Sequence, residues 1–150
     1  MATQWTAQGI TSGAVLTAAT LQSIGAAWVD YTPTLTQGAT ITKTISNARY
    51  CQIQKTIFVQ VYMIATSAGT AGNQLVIGLP ITARNSFGTT NGLAQLYDAN
   101  TNLMYICSAY QNTTTTMSFI YQTGNPFGIS PAITIANGDQ LQFSIVYEAA

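Results

Sequence analysis

A chain of 150 residues with four Lys or Arg, four Asp or Glu and no histidine has zero formal net charge and almost nothing that titrates near neutrality. Only 5% of its residues are charged and 47% are hydrophobic, against about a quarter charged in an ordinary soluble domain. This composition argues against a basic nucleic-acid surface, against histidine-based triads and against most zinc sites, and it leaves Thr, Ser, Asn and Gln to face water.

The first 27 residues are small and polar, with apolar residues far apart at Trp5, Ile10, Val15, Leu16, Leu21 and Ile24. Met1–Ile10 lacks the basic and unbroken apolar regions of a secretory leader, so none is expected, and no apolar run is long enough to span a bilayer. One short helix is expected here. Thr17 suits its N-cap, Leu16 and Leu21 stand at the staple positions on either side, and Gly25 ends it. Two turns of helix are not stable alone, so Leu21, Ile24 and Trp28 must dock on something. Residues 1–27 therefore read as an extended attachment arm, and residues 28–150 as a separate β-sandwich domain.

From Trp28 onward the periodicity is two. Candidate strands are Val29–Thr36, Thr40–Ser46, Arg49–Gln54, Ile57–Ile64, Gln74–Leu79, Leu93–Tyr97, Leu103–Tyr110, Thr116–Tyr121, Ala132–Ile135 and Gln140–Tyr147. The last is the clearest, with Leu141, Phe143, Ile145 and Tyr147 on one face and Gln140, Gln142 and Ser144 on the other. Ile57–Ile64 is apolar on both faces, which places it centrally or under a cover. Turns are expected at Gln37-Gly38, Ser46-Asn47, Ala71-Gly72-Asn73, Asn91-Gly92, Asn100-Thr101, Gly124-Asn125-Pro126 and Asn137-Gly138. Thr113–Thr116 reads as a loop leading into a strand. Eight to ten short strands with regular turns indicate an all-β, jelly-roll-like antiparallel β-sandwich.

Catalytic sets are missing from the sequence. Asp98 and Asp139 stand beside turns, where Asp stabilises the turn itself; a paired-carboxylate glycosidase would require them to meet in space. Gly69, Gly72 and Gly78 are not followed by a helix bearing Lys, so no phosphate cradle is indicated. Cys51 and Cys107 lie inside strand-like segments and read as two buried thiols, with a single bridge as the alternative. Asn112-Thr113-Thr114 matches a glycosylation acceptor at the level of chance. No cofactor, metal, membrane or small-molecule substrate is expected, and the chain reads as no enzyme. Tyrosines are better candidates, since the ring packs along its body and hydrogen-bonds at its tip. Tyr97 and Tyr110 are possible receptor or subunit contacts, whereas Tyr105, Tyr121 and Tyr147 fall in phase with core neighbours.

Four segments in order carry a resemblance: Trp28-Val-Asp-Tyr-Thr-Pro-Thr-Leu-Thr36, Ala48-Arg-Tyr-Cys-Gln-Ile-Gln-Lys-Thr-Ile-Phe-Val-Gln-Val61, Leu75-Val-Ile-Gly-Leu-Pro80 and Ala136-Asn-Gly-Asp-Gln-Leu-Gln-Phe-Ser-Ile-Val-Tyr-Glu148. Together they resemble the small β-sandwich modules of tailed-bacteriophage virions, found in head decoration proteins and in tail-fibre or minor tail proteins. Gly9-Ile-Thr-Ser-Gly-Ala-Val-Leu-Thr-Ala-Ala-Thr-Leu21 likewise resembles the attachment segment fused to them. The chain departs from that pattern at Cys51, where a polar residue is usual, and at Gln54, where Gly is usual. The resemblance implies a homotrimer with a non-enzymatic role, made in the host cytoplasm and carried on the virion.

The leading expectation is a capsid decoration or cement protein on the capsid surface, a trimeric knob that binds the major capsid protein through its arm. Some 25 extended residues reach roughly 80–90 Å, and three arms acting together raise one another's effective concentration. Trp5, Ile10, Val15, Leu16, Leu21, Ile24 and Trp28 are the candidate anchors; alternatively the arm folds back on its own sandwich. A second expectation is a tail-fibre or receptor-binding tip that contacts a host surface glycan. A secreted lectin or carbohydrate-active enzyme is the third.

Overall fold

The computed structural model describes residues 27–122 and 124–150, so the expected arm, its short helix and the anchors Trp5, Ile10, Val15, Leu16, Leu21 and Ile24 lie outside the described residues. The described residues form ten strands: β1 (Val29–Asp30), β2 (Leu35–Gln37), β3 (Ala39–Thr40), β4 (Lys43–Ile53), β5 (Thr56–Ala65), β6 (Val76–Gly78), β7 (Thr90–Asp98), β8 (Leu103–Gln111), β9 (Thr116–Ile120) and β10 (Gln140–Glu148). All pairings are antiparallel, in the order β1-β4-β5-β10-β7-β8-β9-β6-β2-β3. The chain is thus all-β, as expected, and β5 is central between β4 and β10.

This continuous sheet curls over on itself. Phe119 of β9 and Phe143 of β10 are separated by β7 and β8 in the hydrogen-bonded order, yet their ring centroids lie 5.8 Å apart. Alternation explains what fills the space between the layers. Ile57, Val59, Val61 and Met63 of β5 point inward with Leu141, Phe143, Ile145 and Tyr147 of β10, and they meet Met117, Phe119, Ile77 and Leu35 from the opposite layer. Residues 79–84 strap one end shut. Leu79 and Ala83 donate their N–H groups to Thr115 and Thr114, Arg84 donates to the Glu148 carbonyl, and the Tyr147 hydroxyl donates to the Ile81 carbonyl at 2.8 Å.

Six expected elements differ, each for a local reason. Val29–Thr36 is two strands, because Pro33 has no N–H for a ladder and the chain crosses there from a partner in β4 to one in β6. Thr40–Ser46 and Arg49–Gln54 belong largely to one strand, β4, and the expected Ser46-Asn47 turn is a bulge where the register shifts between Ile45 and Asn47. Asn91-Gly92 is no hairpin turn but lies within β7, where Gly92 admits the backbone of Ser144 and Ile145. Ala132–Ile135 is not a strand; the Gln37 side chain bonds its Ile133 carbonyl and Ile135 N–H, and the Gly69 N–H donates to the Ile135 carbonyl.

The turns at Gly38, Gly72, Gly124 and Gly138 form where expected, each with positive φ. Thr113–Thr115 lies in the loop that enters β9 at Thr116. Cys51 and Cys107 are both buried, and no disulfide joins them. Burial pushes the Cys107 thiol up to about 12.

Candidate interaction surface

The outward face of the curled sheet follows from the same alternation. On β4 it presents Asn47, Arg49 and Ile53, with Cys51 on the same side but buried; on β5, Phe58, Gln60 and Tyr62; on β10, Gln140, Gln142, Ser144 and Val146. On β7 it presents Leu93, Gln95 and Tyr97, paired with Ser108, Ile106 and Met104 on β8. Two features stand out: a hollow and a ridge.

The hollow has a volume of ≈ 330 Å³ and is lined by Asn47, Gln60, Tyr62, Leu93, Gln95 and Gln142, among others. It sits where three glutamines on three adjacent strands leave space between their stems. Gln142 and Gln95 are direct cross-strand partners, and no hydrogen bond to either side-chain amide is found among the described residues. Gln60 is fixed by Arg49, whose Nη2 donates to its Oε1 at 3.1 Å, and the Tyr62 hydroxyl donates to Gln140 Oε1 at 3.0 Å. A smaller hollow of ≈ 30 Å³ adjoins it between Tyr62, Tyr97 and Met104.

The ridge runs along β7 and β8. Leu93 is 65% exposed, and Met104 and Ile106 are each more than half exposed. Apolar side chains of this size on the outward face of adjoining strands leave water in contact with hydrocarbon at a cost of about 25 cal/mol per Å². The face between them is uncharged. Arg49 stands at its β4 side, and Glu148 is engaged with Arg84 at 2.9 Å at the end of β10.

Trp28 lies at the edge of the same face, 43% exposed, with its ring centroid 4.8 Å from the Arg49 guanidinium carbon. A cation–π contact of this kind contributes about 0.5–1 kcal/mol at an exposed site. Of the two singled-out tyrosines, Tyr97 is on the face, and its hydroxyl donates to Asn102 Oδ1 at 2.6 Å. Tyr110 is 7% exposed, packed within β8 opposite Ser118 and Thr90, so its ring is withdrawn from the surface of the single chain. Tyr105 and Tyr121 pack edge-on at 5.4 Å against the core, and Tyr147 is buried, as their phase implied. Among the described residues no three His, Cys, Asp or Glu side chains gather as metal ligands. The Asp98 carboxylate accepts the N–H groups of Asn100 and Thr101 in its own turn, while that of Asp139 accepts Ala136 in its own turn and Ala99 in the turn of Asp98, tying the two turns together.

Sequence reasoning passed over Gln60, Leu93, Gln95, Met104, Ile106 and Gln142. The signal available was the double-sided apolar character of β5 and β8, Phe58 and Ile106 being hydrophobic where a solvated face would be polar. Comparison of the chain with protein-family models, with curated proteins and with solved structures gave no match.

Proposed function

We propose that this chain is a structural protein of a tailed-phage virion, a capsid decoration or cement protein whose sandwich forms a trimeric knob tied to the major capsid protein by residues 1–27. The observation that carries the reading is the broad, uncharged outward sheet face with Leu93, Met104 and Ile106 standing from it, since such a face suits packing against protein better than free solution. The near absence of charge supports it: with a net charge of zero a free chain has weak colloidal protection, which matters little for a subunit held in an array. The fourfold segment resemblance points the same way. The arm joins the sandwich beside Trp28, at the edge of the face, so anchoring at Trp5, Ile10, Val15, Leu16, Leu21 and Ile24 leaves the knob on the capsid surface.

Deletion of residues 1–27 tests the reading. The truncated protein is expected to remain a folded oligomer and to be lost from particles. Full occupancy of particles by the truncated protein would refute the arm's role, and imaging of purified virions would reveal the copy number, hundreds for a head site and a dozen or so for a tail.

The amide-lined hollow beside Tyr62 and Tyr97 favours one second reading, a receptor-binding tip for a neutral glycan. Amides and phenols hydrogen-bond sugar hydroxyls without charge. Millimolar or better binding on a glycan array, abolished by Gln142→Ala, would support it over the capsid role.

A further inference from the structure

We propose that Met104 is a peroxide-reactive modification site, at which oxidation to the sulfoxide turns the apolar ridge of β7 and β8 polar without unfolding the chain. The inference goes beyond the assembly reading and does not rest on it, since it needs only the exposure and the neighbours of one side chain.

The first observation is selectivity by burial. Of the three methionines among the described residues, Met63 and Met117 are completely buried in the core, whereas Met104 is 54% exposed. A thioether has no proton to lose, so its reaction with an oxidant is governed by access rather than by pH. The thiols that would otherwise compete are sheltered. Cys51 and Cys107 are both buried, and burial pushes the Cys107 thiol up to about 12, where almost none of it is the reactive thiolate at neutrality.

The second is a place for the new oxygen. Met104 lines the hollow of ≈ 30 Å³ together with Tyr62, Gln95, Tyr97, Gln140 and Gln142. A water-sized group needs at least about 10–15 Å³, so one added oxygen fits. The hollow also carries donors for it, because the side-chain amides of Gln95 and Gln142 have no hydrogen bond among the described residues. A sulfoxide in the core would set a polar group among hydrocarbon and break the packing. At Met104 the same change is met by amides, so the fold is expected to hold the sulfoxide as well as the thioether.

The third is position. Met104 is the register partner of Tyr97, and Leu93 and Ile106 stand from the same outward face. A polar oxygen between them interrupts the exposed hydrocarbon. In a chain with only 5% charged residues, one strong acceptor changes the character of a face more than it would on an ordinary surface.

In the step itself the sulfur lone pair attacks one oxygen of hydrogen peroxide. The S–O bond forms as the O–O bond breaks, and sulfur gives up two electrons to the peroxide. The proton left on the transferred oxygen passes to the departing hydroxide, which leaves as water. A methionine sulfoxide reductase reverses the change.

Hydrogen peroxide treatment of the folded full chain, followed by mass spectrometry of its proteolytic fragments, tests the proposal. Met104 is expected to gain one oxygen at least roughly ten times faster than Met63 and Met117, which react only when the structure opens. In urea the three rates are expected to converge. The oxidised chain is expected to keep its far-UV spectrum and denaturation midpoint, to leave a hydrophobic-interaction column earlier, and to return to the original position after reductase treatment. Met104→Leu is expected to lose that elution shift, and Met104→Gln to elute early before any oxidation. Reaction of Met63 or Met117 as fast as Met104 in the folded chain overturns the proposal, and so does a Met104 that peroxide leaves untouched. A midpoint lowered by oxidation at Met104 alone, or an elution shift of wild-type size in Met104→Leu, overturns it equally.

Discussion

Gln37 and Ile135, 98 positions apart, are joined by a hydrogen bond in which the Ile135 N–H donates to the Gln37 side-chain oxygen at 2.8 Å. The same amide donates through Nε2 to the Ile133 carbonyl at 2.7 Å, and Gln37 is completely buried. One side chain at the end of β2 thus does for residues 133–135 what a neighbouring strand would do. Gly69 and Gly128 make this possible, because a Cβ at either would collide with the Gln37 side chain.

Gln37→Leu keeps the volume but strands a buried N–H and a carbonyl together. The expected loss is roughly 2–6 kcal/mol, from about 1–3 kcal/mol for each of the two unsatisfied groups. Urea denaturation measures it, and a loss below about 1 kcal/mol would mean that water or a backbone shift replaces the amide.

Gly92 is expected to be intolerant for a different reason. Its φ is not in the left-handed region, yet a Cβ there would overlap the Ser144 carbonyl oxygen and press on Ile145, its register partner in β10. Gly92→Ala must spread the β7–β10 ladder beside the exposed Leu93, for an expected cost of about 1–3 kcal/mol by thermal or chemical unfolding.

These two positions show where sequence reading succeeded and where it stopped. The alternation of Leu141, Phe143, Ile145 and Tyr147 is legible because one face is buried along the whole of β10. Asn91-Gly92 reads as a hairpin turn because Asn-Gly usually supplies positive φ; here the glycine instead answers a close backbone approach from a strand 50 residues away, which no local pattern encodes. Ala132–Ile135 has strand composition, but its Ile133 carbonyl and Ile135 N–H bond a side chain where a strand would otherwise lie, so composition and ladder part company. The interaction face was illegible for a related reason. Gln60, Gln95 and Gln142 look like ordinary solvent-facing residues until the register places them side by side, whereas Tyr110 looks available until β9 pairs over it.

Gln54 is a site for gain. It links β4 to β5 with φ 55°, a conformation that costs a residue with a Cβ about 1–2 kcal/mol and glycine much less. The side chain of Gln52 donates to the backbone carbonyl of Gln54, a contact that survives any change of the Gln54 side chain. Gln54→Gly is therefore expected to raise stability by about 0.5–1 kcal/mol after the added chain entropy of glycine is subtracted. An unchanged or lowered denaturation midpoint would show that the hairpin carries no strain at this residue.

The pH dependence of stability is expected to be flat across neutrality and to fall at alkaline pH. With no histidine, no side chain of ordinary pKa titrates between about pH 5 and pH 8. Burial raises the Tyr31 hydroxyl well above its usual value of 10.0, with the nearby Tyr147 adding to the effect. Burial likewise pushes Tyr147 up to about 12 against the hydrogen bond with Ile81, and Cys107 from 9.0 to about 12. A group whose pKa is higher in the folded state binds its proton more tightly there, so its contribution is complete below the unfolded value and fades as pH climbs towards the folded one. Stability should accordingly begin to decline near pH 9, where unfolded Cys107 ionises, and fall more steeply from 10 to 12 as the two tyrosines follow. On the acid side desolvation opposes ionisation of Asp98, but hydrogen bonds from Thr101 and Asn100 outweigh it and hold the carboxyl below its usual 3.8. Its contribution is present above that value and is lost as pH falls further, and since the group is largely exposed the acid effect should be small beside the alkaline one. Denaturation midpoints measured from pH 3 to pH 11 test the asymmetry, and Tyr147→Phe should flatten part of the alkaline limb while lowering stability at pH 7 by about 1–2 kcal/mol through the lost Ile81 bonds.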